Sequence, residues 1–453
     1  MLSGPVRFVF AIALRIYRSC ALTMLRLRGL TPADPAERRV VSGEAWDEFC
    51  DMLKASGAAL LAPGAPTDPF DQAEGYRYLS RLARAGLENF LECSDVNAPR
   101  LCSLMDGYRD APCKLGSDNP DNMYQNATID GRLEYVVSGT RGTVPYLGFG
   151  TQTGQYGGKG GLATVAYIEA EELVYEAGSG SGADARFGLV LSETRPENAP
   201  NWLALRSDPP QALFIVRQTF GDRRTEVAAE LSIRRMGGAT VPVPLTPAAL
   251  EAGLQSAGVF VAGASAMFAK WAHGFQPHTN QLPLFDQERS NKAGGDPNIR
   301  YYHSYWLLLP GEALVIRARP PPCRSWNFQL NNHWMESLDY RYHPVHTNST
   351  LARYDENETH GGPETDETGG RGGETDKPVA ASGPWVTIVV AHTDPNVAAG
   401  RFVGNWVSTV RHGCGTMCFR WVAPRVGDDA LPQPRANVVR FDELVEHGAA
   451  AML

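Results

Sequence analysis

The chain states one order of motifs twice, and this duplication limits what it can fold into. Around Asn119 it reads NPDNMY, then Gly131 ahead of the apolar run LEYVV, then YLGF. Around Asp296 it reads DPNIRY, then Gly311 ahead of ALVI, then WNF. Both copies pass through an apolar strand into a proline, from Val190-Leu191 to Pro196 and from Val389-Val390 to Pro395. Both then reach an Asn-Trp pair, Asn201-Trp202 and Asn405-Trp406, and close on a strand ending in arginine, at Arg217 and Arg420. Strand, turn, Asn-Trp and strand repeated in this order predict two copies of one β-unit.

The expected fold is therefore mainly β, α+β overall. It has two related jelly-roll-like β-sandwich units joined by a long helix, with a small helical N-terminal module. At 453 residues the chain exceeds one ordinary core. Residues 1–40 form a basic extension, 41–115 the helical module and 116–246 the first β-unit. Residues 247–295 are the connecting helix and linker, 296–424 the second β-unit and 425–453 a peripheral tail. Trp46, Phe49, Leu53 and Leu60 recur at helical spacing, as do Tyr76, Leu79, Leu82, Leu87 and Phe90, and a third helix is expected within 95–109. The segment 247–273 is apolar nearly all round, which predicts a helix buried between elements. Residues 355–383 carry eight acids and no large apolar side chain, so a disordered insert is expected there.

A net charge of −8 and the absence of a basic, aromatic-interleaved cluster argue against nucleic acid as a partner. Residues 1–30 hold five Arg and no acid. Arg7 and Arg15 bracket the apolar run Phe8–Leu14 at seven residues, against the roughly 20 of a membrane span, so no stable span is expected. An Arg-rich, acid-free amphipathic start resembles a mitochondrial presequence more than a secretory signal. The eight Cys include no C-x-x-C pair. Buried free thiols in an intracellular, soluble protein are the plain reading.

Chemistry concentrates in the second copy. In Trp326-Asn327-Phe328-Gln329-Leu330-Asn331 the apolar side chains face one way and the amides Asn327, Gln329 and Asn331 the other. A second strand over 338–343 would set Asp339, Arg341 and His343 on that same face. Aligning Leu147 and Phe149 with Trp326 and Phe328 puts Gly148 and Gly150 opposite Asn327 and Gln329, so the first copy is bare where the second has hydrogen-bonding groups. His333, His343 and His392 are candidate proton carriers, with Glu336 and Asp339 to orient them. Asn327, Gln329, Asn331, Trp334, Arg341 and His346 are candidate ligand-binding residues. A polar network with a purely structural role explains the same face. His343 and His346 have H-x-x-H spacing, but in a strand they point to opposite faces, so only a bulge at Pro344 would make a metal site. No motif calls for a cofactor. The Gly-rich run 150–161 lacks the phosphate-loop order and reads as a flexible loop. The Asn-Trp pairs read as turns in which Asn bonds backbone and Trp fills the core.

The runs WNFQLNNHWMESLDYRYHPVHTN, VVAHTDP, GNW and GTMCFRW resemble a family of mainly bacterial proteins that carry the domain of unknown function 1214. The segments GSDNPDNMYQNATIDGRLEYVVSGTRGTVPYL and LFIVRQTFGDRRTE are similar to that family's upstream half. The resemblance spans about 43 to 424 and implies β-rich sandwiches with helical connectors, but no established reaction. Together these readings predict a protein that binds a small polar or amphipathic molecule on the second unit, with or without acid/base chemistry. A carbohydrate- or lipid-binding module and a metal-dependent enzyme are the alternatives. An assembly role, as a homo-oligomer, would require large apolar outer patches.

Overall fold

The computed structural model describes residues 4–29, 31–103, 105, 113–154, 162–237, 241–292, 295–355 and 384–452. The first unit contains β1 (Asn122–Asp130), β2 (Tyr135–Thr140), β3 (Tyr146–Gly154), β4 (Leu162–Glu169), β5 (Arg186–Ser192), β6 (Trp202–Ala204), β7 (Gln211–Thr219) and β8 (Leu231–Arg235). These form two four-stranded sheets of order β1-β7-β3-β4 and β6-β5-β2-β8. The second unit contains β9 (Ile299–Leu307), β10 (Glu312–Ala318), β11 (Ser325–Leu330), β12 (His346–Asn348), β13 (Val386–Ala391), β14 (Asn405–Ser408), β15 (Cys414–Val422) and β16 (Arg435–Arg440). Its sheets run β9-β15-β11-β12 and β14-β13-β10-β16. Adding eight to each strand of the first unit gives the second. The parallel pair recurs as well, β5 with β6 and β13 with β14.

Each sandwich closes because its strands alternate in the way read from the sequence. Leu147, Phe149, Phe214 and Val216 meet Phe187, Leu189 and Leu191 in the first core. Trp326, Phe328, Phe419 and Trp421 meet Ile316, Ile388 and Val390 in the second. The Asn-Trp turns behave alike in both copies. Asn201 donates to the carbonyls of Val174 and Gly188 and accepts from the Val174 amide. Asn405 donates to Arg353 and Thr387 and accepts from Arg353. Their tryptophans are half-buried rather than central to a core.

The helical module contains α2 (Pro35–Ser42), α3 (Glu44–Ser56) and α4 (Pro69–Leu87). Asp34 and Asp68 cap α2 and α4 ahead of a proline in the first turn. Helices α2, α3 and α4 pack on α5 (Pro247–Phe275). Phe260, Phe268 and Phe275 of α5 share one apolar cluster with Leu60, Tyr78 and Leu82 and with Tyr305 and Trp334 of the second unit. Burial is partial rather than all round: Ala252, Gln255, Ala266, Lys270 and His273 leave one side of α5 exposed. Short α6 (Gln287–Lys292) precedes β9, and α7 (Pro395–Ala399) follows β13.

Several expectations are corrected. No helix forms over 95–103, where turns and an isolated bridge from Cys102 to Asn126 take its place; residues 104 and 106–112 lie outside the described residues. The tail is not peripheral, because β16 pairs with β10 and leads into α8 (Phe441–His447). Cys93 and Cys102 form a disulfide rather than free thiols, and the free Cys20 and Cys50 are exposed. Helix α1 (Gly4–Leu27) runs through Arg15 without a break. Phe8–Leu27 is thereby long and apolar enough to cross a membrane, as is Pro247–His278, which is 56% buried inside the protein. Of the acidic insert expected over 355–383, residues 356–383 lie outside the described residues. Of the Gly-rich run 150–161, residues 150–154 belong to β3 rather than to a loop, and 155–161 lie outside the described residues.

Candidate functional site

The register confirms the alignment of the copies at single-residue level. Gly148 lies opposite Arg217 on the β3–β7 pair, and Asn327 lies opposite Arg420 on β11–β15. On the other side of each arginine strand, Tyr124 pairs with Arg217 and Tyr301 with Arg420. Tyr, Arg and Gly or Asn thus form one row across each of two equivalent sheets, pointing away from the sandwich core. In the first unit Tyr167 of β4 fills the space above the glycines: a Cβ on Gly148 would sit 1.8 Å from its hydroxyl. That face is covered, not bare.

The two faces meet each other. The turn that opens each unit reaches across and docks on the other unit's outward sheet. In both turns the side chain at the first position accepts the amide two residues on, Asn119 from Asp121 and Asp296 from Asn298. Asn327 donates to Asn119 Oδ1 at 2.6 Å. Reciprocally, Tyr146 and Tyr167 donate to Asp296 Oδ2 at 2.9 and 2.7 Å. His346 and Asn348 of β12 bond Asp121 at 3.1 and 2.9 Å, and Asn298 donates to Glu169 of β4 at 2.8 Å. Gln329 donates to the Asp118 carbonyl, and Asn331 to Ser117 Oγ and Thr416 Oγ1. The predicted amide face is therefore 0–2% exposed because the first unit covers it.

Between the units lies a cavity of about 90 Å³. Arg217, Arg420, Tyr124, Tyr301, His303, Asp118, Asn119 and Asn122 line it, with Phe268 and Trp271 of α5. Burial opposes the Arg420 charge, but Cys418, Tyr124, Tyr301 and Asp118 raise its pKa above the ordinary value. Its hydrogen bonds go to neutral acceptors: Asn327 Oδ1, Gln329 Oε1 and the carbonyl and hydroxyl of Ser117. Burial likewise opposes Arg217, and Asp296 and Tyr167 support its charge. His303 is stacked between Phe275 and Tyr301. Burial pushes its pKa down to about 3, so the ring is neutral. Its Nδ1 and the Asn122 Oδ1 are buried without a hydrogen-bond partner. Asp118 accepts from the Ser337 amide and hydroxyl; burial raises its pKa against the pull of Lys114. Two cations, two phenols and an imidazole with an open nitrogen can bind a small polar guest.

The predicted proton carriers do not converge. His333 is buried, hydrogen-bonded through Nδ1 to the Tyr305 hydroxyl at 3.0 Å, and burial lowers its pKa to about 4. His343 and His392 are exposed, and His392 Nδ1 bonds Thr409 Oγ1 at 2.7 Å. Glu336 does not orient an imidazole; it pairs with Arg81 of α4 at 2.7 Å and accepts from Asn332. No strand forms over 338–343. The chain turns there, and Asp339 is clamped by Arg341 at 3.0 and 2.9 Å. A bridge between Asn331 and Ser337 closes the turn early, which turns Arg341 and Asp339 away from the amides. Trp334 is fully buried against Gly75. Among the described residues no three His, Cys, Asp or Glu gather as metal ligands.

Sequence reasoning marked Arg217 and Arg420 only as strand ends, and it missed Tyr124 and Tyr301. Their signal was the repetition itself: a buried cation at matching positions of two copies is costly, and so points to a role. A larger cavity, about 360 Å³, lies between β1, β7 and the start of α5, lined by Phe90, Ile129, Leu213 and Phe260 with Asn89 and Asn126. It lies between the first unit and the helices and lacks a matching pair of buried charges.

No protein-family model matches the chain, so its likeness to the domain of unknown function 1214 family rests on the quoted motifs. No curated protein matches it. Among solved structures, the chain is similar to a protein from Burkholderia cenocepacia, described only as uncharacterized. The two share 41% sequence identity, with 90% of this chain and 99% of that one covered and a TM-score of 0.76. The VPA0106 protein from Vibrio parahaemolyticus matches at 10% identity and a TM-score of 0.39, over 80% of this chain and 98% of that one. The chain belongs to the same family as the Burkholderia cenocepacia protein.

Proposed function

We propose that this protein binds a small polar organic molecule in the cavity between its two β-units. The reading rests on one observation: the matching side chains Arg217 and Arg420, with Tyr124 and Tyr301, line one buried space. The expected amide face serves that space indirectly, because Asn327 and Gln329 hold the Arg420 guanidinium. The dispersal of His333, His343 and His392 favours binding without acid/base chemistry. Thermal-shift titration of the full chain with one- to four-carbon acids, amides and alcohols tests the proposal. Saturable stabilisation that Arg420→Lys weakens at least about tenfold is expected, since lysine cannot reproduce the guanidinium fork. Stabilisation by none of them, or equal stabilisation of the variant, would count against it.

A second reading, an amphipathic or lipid-like ligand, is favoured by the apolar lining of the 360 Å³ cavity beside Phe90 and Phe260. Membership of the domain of unknown function 1214 family is proposed on the quoted motifs. A targeting role for residues 1–30 is proposed on their arginines, and α1 supports an address or anchor by leaving Phe8, Val9 and Phe10 exposed. The Cys93–Cys102 disulfide weighs against a reducing compartment such as the cytosol.

A further inference from the structure

The duplication allows the charge of the cavity to be compared position by position. Asp296 of the second opening turn lends its charge to Arg217. The matching residue of the first opening turn is Asn119, which is neutral and lies on the Arg420 side, bonded to Asn327. Arg420 consequently forms no salt bridge among the described residues, although it is only 3% exposed. Three ionic side chains line the cavity: Arg217, Arg420 and Asp118. The lining itself therefore carries an excess of one positive charge, with Asp296 beside Arg217 and with Lys114 and Glu336 beside Asp118. A buried guanidinium with no carboxylate in hydrogen-bond contact is unfavourable, whereas an anion bound beside it would be held by charge-assisted attraction.

We propose that the cavity is a site for a small monocarboxylate, whose carboxyl group supplies beside Arg420 the negative charge that Asp296 gives Arg217 and that Asn119 does not. This rests on the cavity being the binding site and adds the class of its ligand. Size agrees: about 90 Å³ is smaller than the roughly 150 Å³ of a cavity that admits benzene, which suits an acid of very few carbons. Arg420 binds the carboxylate, Arg217 and the two phenols flank it, and the open Nδ1 of His303 and Oδ1 of Asn122 are available to a hydroxyl or amide on the same molecule.

The test is isothermal titration of the full chain at pH 7 with acetate, acetamide and inorganic phosphate, alongside the Asn119→Asp variant. Asparagine Oδ1 at 119 accepts from Asp121 and Asn327, and an aspartate keeps both bonds, so this variant should fold. Acetate is expected to bind at least about tenfold more tightly than acetamide, the scale of a charge-assisted over a neutral hydrogen bond. Asn119→Asp should weaken acetate by a similar factor without lowering Tm. Acetamide binding as well as acetate would overturn the carboxylate assignment and leave a polar-ligand cavity standing. Phosphate in preference to acetate would overturn the single-charge count. If none of the three binds, and Asn119→Asp has no higher Tm than the wild type, both the ligand class and the cavity reading fall.

Discussion

Replacing Gly148 by alanine places a methyl group where Tyr167 already lies. The added Cβ would be 1.8 Å from the Tyr167 hydroxyl and 2.6 Å from its Cζ, so the ring has to swing away. That movement breaks the 2.7 Å bond to Asp296 and the 2.9 Å bond to Tyr146. A hydrogen bond to a charged group contributes about 1.5–3 kcal/mol and a neutral one about 1. Repacking strain adds about 1–3 kcal/mol, while alanine recovers about 0.4–1 through the unfolded chain. The net loss is about 3–6 kcal/mol, read from the midpoint of urea unfolding at constant m-value. Two controls grade the effect. At Gly150 the nearest atoms stand at 3.2 Å, so Gly150→Ala should cost about 1 kcal/mol. At Gly188 nothing lies within 4 Å, so Gly188→Ala should shift stability by no more than about 0.5 kcal/mol. Tyr167→Phe added to Gly148→Ala should recover part of the loss. A Gly148→Ala midpoint equal to that of Gly188→Ala would refute the reciprocal docking of the two units.

Three further outcomes follow from the same contacts. Glu336→Gln leaves Arg81 without its carboxylate in a largely buried site and should cost about 3–5 kcal/mol, whereas Arg81→Met with Glu336→Leu should cost much less; a urea double-mutant cycle decides. The folded-state pKa values of His303 and His333, about 3 and about 4, lie below the unfolded value of about 6.5. Protons therefore bind the unfolded chain first. Stability should fall as pH drops below about 6.5, by up to about 1.4 kcal/mol per unit for each ring, ending near pH 4 for His333 and pH 3 for His303. His303→Phe should flatten that limb of the urea midpoint against pH. Deleting residues 1–27 removes the Arg18–Asp47 pair, both partners of which are largely exposed, and the Arg18 bond to the Ser42 carbonyl, so Tm should change by no more than that of surface contacts worth about 1 kcal/mol.

Much of the fold was legible because duplication and strand alternation are local signals. Gly148 and Gly150 fell opposite Asn327 and Gln329 from the alignment of Leu147 with Trp326 alone, and the strand register repeats that placement. The turns at Asn119 and Asp296 and the Asn201 and Asn405 clamps were readable because their chemistry lies within a few residues. The site was not readable in the same way. Asn327, Gln329 and Asn331 looked outward from their own sandwich, and no pattern within the second copy shows that the first copy covers them. The period-2 pattern over 338–343 suggested a strand, but the Asn331–Ser337 bridge and the Asp339–Arg341 clamp form a turn instead. Arginines 217 and 420 stood in plain view as repeated strand ends. Their meaning depends on burial, which only the packing of the two units reveals.

The most direct test of the central claim is a crystal structure of the full chain grown in acetate. The account predicts planar carboxylate density in the cavity between the units, within about 3 Å of the Arg420 guanidinium and flanked by Arg217 and Tyr301. A cavity holding only water, with Arg420 turned to a protein carboxylate instead, would contradict it.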